Sequence, residues 1–408
     1  MKAKKYNYKI LKIDKHLRSY ENAIELRMRN YAKFKNKLLG LSSDGAPGSS
    51  RPTSTLSSFA NGHLYYGFQK SKEHDGWYFR EWAPNAGAIS LIGEFNGWDQ
   101  YSHKLNKTNT DGVWEIFIPG INSLPHGSKV KLRITAKNSG RTFDRIPSYC
   151  KRVLQNPETY EFYGQVWDND YDDHNWQIKK FNAKKIKTPL IYESHVGMCS
   201  EEEKIAGFKD YIEIVLPRVK KLGYNIIQLM AITEHPFYGS FGYQVSNFFA
   251  VSSRFGTPGQ LKELIDTAHK MGIAVLLDLV HSHAAPNADE GLAKFDGTEY
   301  QYFHTGKKGD HPAWGTKLFD YGKSEVVHFL LSNLKFWLEE YKFDGFRFDG
   351  ITSMLYYDHG LGKTFDNYKK YFTSNTDKES VVYLQLAAEL CKEVRPDCIS
   401  VFGEKYFL

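Results

Sequence analysis

The sequence predicts a multidomain protein: an N-terminal helical segment, an all-β sandwich, and then an incomplete α/β barrel of the TIM type with about five of eight strands. Three observations predict it. Between 76 and 167, short runs alternate apolar and polar residues and are separated by turn residues, which is the pattern of a β-sandwich. From 188 onward the grammar changes to strand, helix, strand, helix, which argues a parallel sheet with active groups at the C-terminal strand ends. Residues 341–354, Y-K-F-D-G-F-R-F-D-G-I-T-S-M, form the stretch around which the rest is organised. The expected divisions are 1–58, 59–175 and 176–408, and a chain of 408 residues is long enough for such a set of cores.

The elements follow in order. Helical spacing of Ala23, Leu26, Met28, Tyr31, Phe34 and Leu38 predicts a helix over 20–39. Residues 42–52, rich in Gly, Ser and Pro, read as a flexible loop. Sandwich strands are expected at 77–82, 88–92, 113–118 and 130–134. Barrel strands are expected at 190–194, 224–230, 273–280, within 341–354, and at 398–402. The helices between them span 208–222 (kinked at Pro217), a segment opened by Thr257-Pro-Gly-Gln260, then 324–341 and 381–394.

Composition narrows the classes. Lys and Arg exceed Asp and Glu by a formal +7, but they are scattered among acids apart from 2–5 and 179–187. That argues against a nucleic-acid partner. No apolar run approaches the ~18 residues that cross a bilayer, so no membrane is expected. The start, Met-Lys-Ala-Lys-Lys, has no apolar core after it, and Cys150, Cys199, Cys391 and Cys398 show neither disulfide nor metal spacing. A reducing, cytoplasmic location is the simplest reading. The high aromatic content (27 Tyr, 27 Phe, 8 Trp) suits core packing and also stacking on sugar rings.

Candidate chemistry sits at the strand ends. Arg347 and Asp349 are two residues apart on a predicted strand, so both point to one face. A cation beside a carboxylate holds it ionised, and an ionised, oriented Asp is what covalent glycoside chemistry needs. A purely structural Arg–Asp pair would look the same in sequence. Asp278 is either a site carboxylate or a turn cap. His281 and His283 form an H-x-H that could hold a metal if His195 and Asp349 joined them. The aromatic loop His235-Pro-Phe-Tyr238-Gly-Ser-Phe-Gly-Tyr243-Gln suits the floor of a sugar site, or a Gly-punctuated surface loop.

The stretch W-A-P-N-A-G-A-I-S-L-I-G-E-F-N-G-W-D from Trp82 to Asp99 resembles carbohydrate-binding module family 48. Trp82 and Trp98 are its glucan-binding candidates, with core or interdomain packing as the other reading. The stretches Q-L-M-A-I-T-E-H-P-F-Y-G-S-F-G-Y-Q, V-L-L-D-L-V-H-S-H and D-G-F-R-F-D-G-I-T-S-M-L-Y resemble the 1,4-α-glucan branching enzymes of glycoside hydrolase family 13, most of all the eukaryotic glycogen type. The resemblance implies glycogen or another α-1,4-glucan as partner, no cofactor and no metal. It implies Asp349 as nucleophile, Arg347 as the group that orients it, Asp278 and His283 as holders of the sugar at the cleaved position, and Tyr243 as the ring beneath it. An amylase or debranching enzyme would share Asp349, Arg347 and His283.

The pattern departs at one place. Aligned without gaps from Pro396, Gly403 stands where the family has its acid/base Glu; Glu404 fits only with a one-residue slip, which on a strand turns the side chain over. Glu404 is therefore either the acid/base or a solvent-exposed terminal Glu. The later family motifs have no counterpart, so the chain is expected to be a fragment with little or no branching activity alone. A non-catalytic glucan-binding protein is the alternative, and a second chain completing the barrel is conceivable for a split gene.

Overall fold

The computed structural model describes residues 8–41, 55–108, 111–172 and 174–402. The Gly/Ser/Pro-rich stretch 42–52, Lys2 to Lys5, Gly403 and Glu404 lie outside the described residues. The expected order of helix, sandwich and parallel sheet is the one observed.

The sandwich has two antiparallel sheets. One runs Gly67–Ser71, Gly76–Trp82, Val113–Pro119 and Asn106–Lys107. The other runs Ala86–Gly93, Lys129–Ala136, Phe162–Gln165 and Val153–Gln155, with Thr142–Arg145 pairing Lys129–Ala136 beyond its short contact with Phe162–Gln165. Inward residues of both, such as Phe79, Leu91, Leu132 and Ile134, are fully buried, as the alternation requires.

Five parallel strands follow, hydrogen-bonded in chain order: β1 (Ile191–Ser194), β2 (Ile226–Leu229), β3 (Ala274–Leu279), β4 (Gly345–Phe348) and β5 (Ile399–Phe402). The main helices are α1 (Glu21–Leu38) near the N-terminus, then α2 (Leu216–Lys221), α3 (Pro258–Lys270), α4 (Ser324–Glu339) and α5 (Lys378–Val394) between the strands. On the helix side, Ile227, Leu229, Val275, Leu277, Phe346 and Phe348 join the main core. On the opposite, interior side, Ile226, Ala274 and Leu276 form a separate cluster with Ile399 and Val401. Two-residue periodicity then places Gln228, Asp278 and Arg347 on that interior side, nearer the C-terminal ends. β4 approaches β5 so closely at Gly345 that a Cβ would lie 1.8 Å from the Ile399 carbonyl oxygen.

Local chemistry explains the helix ends. Thr257 and Gln260 form a reciprocal capping box, with Pro258 in the first turn of α3. Ahead of α2 the chain does not simply kink at Pro217. It makes one wide π turn, Tyr211–Val215, in which the Leu216 N–H reaches the Tyr211 carbonyl. The proline has no N–H and its ring would crowd the carbonyl four residues back, and the wider turn relieves both. α1 lies on α5, where Lys35 pairs with Glu389 at 2.6 Å.

Sandwich and barrel meet through specific groups. Asn85 binds Asp296 through both its backbone and side-chain nitrogens, at 3.0 and 2.8 Å. Trp82 belongs to this junction. It is 8% exposed, donates its indole N–H to the Asp111 carbonyl, and meets Tyr302 edge-on at 5.2 Å. Of its two sequence readings, this burial supports interdomain packing rather than stacking on a glucan. Among the described residues no helix is long and apolar enough to cross a membrane.

Candidate active site

The site is set by register. Asp278 on β3 lies opposite Arg347 on β4, both on the interior side. Arg347 donates from one guanidinium nitrogen to Asp349 Oδ1 at 2.5 Å and to Asp278 Oδ2 at 3.3 Å. One cation thus holds two carboxylates from adjacent strands at the C-terminal edge of the sheet. Gly350 follows Asp349 with φ +66°, and a Cβ there would sit 2.4 Å from Ser282 Oγ. That left-handed turn lets the chain leave the strand and enter the short helix Ile351–Leu355 directly behind Asp349.

Tyr243 reaches in from the aromatic loop and donates its hydroxyl to Asp278 Oδ2 at 2.7 Å. Asp278 is 1% exposed, and its other oxygen, Oδ1, has no partner among the described residues. Burial pushes the Asp278 carboxyl up to about 7, against the opposing pull of Tyr243 and Arg347. Burial also raises the Tyr243 hydroxyl, and the Asp278 charge adds to it. Burial works against the charge on Arg347, but Asp278 and Asp349 outweigh it and the guanidinium is held more firmly protonated than usual. A buried carboxylate with an open valence is a costly feature in a dry core, and a natural one where a sugar hydroxyl docks.

His283 is placed beside this group but is differently occupied. Its Nε2 lies 2.7 Å from the Tyr243 carbonyl, which can only accept, so Nε2 carries the proton. Its Nδ1 then accepts from the Ser282 hydroxyl at 2.8 Å. Burial pushes its pKa down and keeps it neutral. A sugar hydroxyl would reach this ring only by displacing one of those bonds.

The H-x-H does not converge. His281 turns into the helix layer, with Nδ1 2.6 Å from the Tyr383 hydroxyl and Nε2 2.9 Å from Asn333 Oδ1. His195 is enclosed by the rings of Tyr238, Phe241 and Phe255. Burial pushes it down to about 4. These three histidines and Asp349 therefore do not form one ligand set. Asp349 is joined instead to Arg347. Glu404 lies outside the described residues, so the structure gives it no position relative to Asp349.

Two neighbours were not singled out from sequence. Glu193 on β1 accepts from the Gln228 amide at 3.2 Å and extends the polar interior layer beside Asp278. Strand alternation through Ile191-Tyr-Glu193 carried that signal. Trp314 sits 5.1 Å from the His283 ring and is 39% exposed, at the end of a loop that no local pattern connects to the site. On the sandwich, Trp98 is 37% exposed and borders a cavity of about 300 Å³ with Tyr163, Lys129, Lys131 and Glu161.

Residues 65–150 match carbohydrate-binding module 48 (isoamylase N-terminal domain), and residues 205–321 match the alpha amylase catalytic domain. The 1,4-alpha-glucan-branching enzyme of Emericella nidulans is 49% identical over 85% of this chain and 51% of its own length. That of Rhizophagus irregularis is 45% identical over 97% of this chain and 56% of its own length, and that of Felis catus 44% over 96% and 54%. The chain thus spans about half the length of the curated relatives it matches. Among solved structures, the catalytic module of the glycogen-degrading pneumococcal virulence factor SpuA superposes with a TM-score of 0.64 at 18% identity, over 86% of this chain and 53% of that one. Pullulanase from Bacillus acidopullulyticus gives 0.61 at 21%, over 82% and 41%. At such identities these two speak for the fold alone. The sequence relatives and the two matched domains together establish that the chain belongs to the 1,4-alpha-glucan-branching-enzyme family, with a carbohydrate-binding module 48 ahead of an alpha-amylase-type catalytic domain.

Proposed function

We propose that this chain serves the branching of α-1,4-glucans such as glycogen, by a retaining, covalent mechanism in the cytoplasm. The observation that carries the reading is the Arg347 clamp on Asp349 and Asp278 at the C-terminal strand ends. In the proposed reaction an Asp349 oxygen attacks C1 of the donor glucose. The α-1,4 bond breaks, and an acid protonates the departing O4. A 6-hydroxyl of a second glucan then attacks C1, loses its proton to the same group acting as base, forms the α-1,6 link and frees Asp349.

In this scheme Arg347 keeps the Asp349 oxygen aimed at C1. Asp278 Oδ1 takes a hydroxyl of the same sugar, Tyr243 lies against its ring, and His283 lines its edge. Glu404 remains the sequence candidate for the acid/base. The divisions 1–58, 59–175 and 176–408 are proposed as helical segment, glucan-binding sandwich and catalytic barrel. A second reading, glucan binding without turnover, is favoured by one observation: the half-open Trp98 beside its cavity.

The test uses α-maltosyl fluoride with a glucan acceptor, because fluoride leaves without needing a proton and so isolates the nucleophile. The expected outcome is fluoride release that vanishes in Asp349→Ala, with the little transfer the chain supports alone going into α-1,6 links. Release of free maltose without α-1,6 links would overturn branching. Retention on glycogen that survives Asp349→Ala, with no fluoride release by either protein, would install the binding-only reading.

A further inference from the structure

We propose that His304, Asp320 and Glu379 form a cation site, separate from the sugar site, that takes a divalent metal of the zinc class and ties the loop after β3 to the start of α5. One ligand atom from each of the three lies within 4.8 Å of the others. His304 Nδ1 and Asp320 Oδ1 are 3.6 Å apart. That is too long for a hydrogen bond and close to the roughly 3.3 Å edge between two donors around tetrahedral zinc with bonds of about 2.0–2.1 Å. Imidazole and carboxylate together suit zinc better than magnesium or calcium, which prefer oxygen alone.

The three groups stand on fixed backbone. An antiparallel bridge between Phe303 and Phe319 locks the two arms of the loop, with the His304 N–H bonded to the Leu318 carbonyl and the Asp320 N–H to the Tyr302 carbonyl. Glu379 sits in the first turn of α5, whose amides are capped by Asp377. Gly322 is the space between them. A Cβ there would lie 2.7 Å from Glu379 Oε1 and 3.3 Å from Asp320 Oδ1, so a bare glycine is what lets the two carboxylates approach.

Lysines face both carboxylates, and Glu379 lies on the exposed side of the group, but each carboxylate keeps acceptor positions open. Asp320 gives Oδ2 to Lys323 at 3.5 Å and Oδ1 to the Gly322 amide at 3.2 Å, which leaves a lone pair of Oδ1 free for an ion. Glu379 has no hydrogen-bond donor to its carboxylate among the described residues, although Lys308 is in its surroundings.

A separate feature points the same way. Ser380, next to Glu379, is 1% exposed, and its hydroxyl has no partner among the described residues. It lines the same cavity of about 410 Å³ as His304. A buried hydroxyl without a partner is uncommon, and a water held by an ion at His304 and Glu379 would supply the missing hydrogen bond. None of these residues is placed in the sugar site, so the proposal stands apart from the branching reading.

The test is calorimetric titration of the tag-free, chelator-treated chain with Zn²⁺, and with Mg²⁺ for comparison, alongside thermal unfolding. We expect one saturable Zn²⁺ per chain, a rise in melting temperature with Zn²⁺ and not with Mg²⁺, and at least about tenfold weaker binding in both His304→Ala and Glu379→Gln. No saturable Zn²⁺ binding, or full affinity retained in either variant, overturns the proposal. Should either variant fail to fold, Gly322→Ala decides: its Cβ occupies the gap between the carboxylates, so unchanged Zn²⁺ affinity in that variant also overturns it.

Discussion

Asp344 and Asp278 stand at opposite ends of the same parallel sheet, on neighbouring strands, and both are buried. Asp344 precedes β4. Its carboxylate accepts from the Val275 amide at 2.7 Å, lies 2.8 Å from His269 Nε2, and is held by Arg395. Both of its oxygens are bonded within the protein, and it ties α3, β3, β4 and the approach to β5 together. Asp278, at the other end, has Tyr243 and Arg347 on one oxygen and, among the described residues, nothing on the other. Two buried aspartates of the same type therefore do different work. The closed one holds strands in register, and the role proposed for the open one is to take a sugar hydroxyl. This is the division of labour expected of an α/β barrel, where the N-terminal face carries stability and the C-terminal face carries the site.

The sharpest way to break that contrast is to remove Asp349. Asp349→Ala should lower fluoride release from α-maltosyl fluoride by on the order of 10⁴-fold or more, while the unfolding free energy moves by no more than about 1 kcal/mol. A comparable loss of stability, read by denaturant titration, would make Asp349 structural and erase the difference between the two ends. Asp344→Ala is the mirror experiment. It leaves His269 and the Val275 amide without their buried acceptor, while Arg395 keeps Asp397, and should cost about 2–4 kcal/mol of stability. A loss below about 1 kcal/mol would show that the closed aspartate is dispensable.

Asp278→Asn tests the open end through pH. The folded state holds the Asp278 proton up to about 7, well above the ordinary carboxylate value near 3.8. Between those values the unfolded chain releases a proton that the folded chain keeps, so the Asp278 contribution to stability falls as pH rises across that window. The asparagine variant lacks this slope. Its stability relative to the native protein should be lowest below pH 4 and climb steadily until pH 7, as read by denaturation at stepped pH. Parallel curves would contradict the burial assigned to Asp278.

The smallest effect is expected for Tyr243→Phe, which removes one charge-assisted hydrogen bond and should cost about 1–2 kcal/mol. Because that bond favours ionised Asp278, its loss should push the Asp278 titration higher still when followed by NMR. A downward shift would mean that Tyr243 does not serve Asp278 as the geometry indicates.

How much of this the sequence carried depended on the range of the interactions. Strand and helix positions were legible because apolar runs, alternation and caps are local; 273–280 and the Thr257 capping box match β3 and α3 closely. The grouping of Arg347, Asp349 and Asp278 was legible because strand alternation fixes faces and active groups gather at C-terminal ends. Less was legible where the outcome depended on a distant partner. Nothing local told Trp82 that it would meet Tyr302, or told His281 that Tyr383 and Asn333 would take both its nitrogens. Asp344 was in plain view in Y-K-F-D-G, yet its role needs Arg395 and His269, which come from other parts of the chain. The π turn before Pro217 was hidden for a different reason: a proline announces a disturbed helix but not the form the disturbance takes.

The most direct test of the central claim, that Asp349 is a nucleophile held by Arg347, is covalent capture. The chain would be treated with 5-fluoro-α-maltosyl fluoride, digested and mapped by mass spectrometry. A maltosyl-ester adduct on Asp349, absent from Asp349→Asn and slowed in Arg347→Ala, is the expected result. An adduct on another residue, or no adduct under conditions where the folded chain binds maltose, would contradict the account.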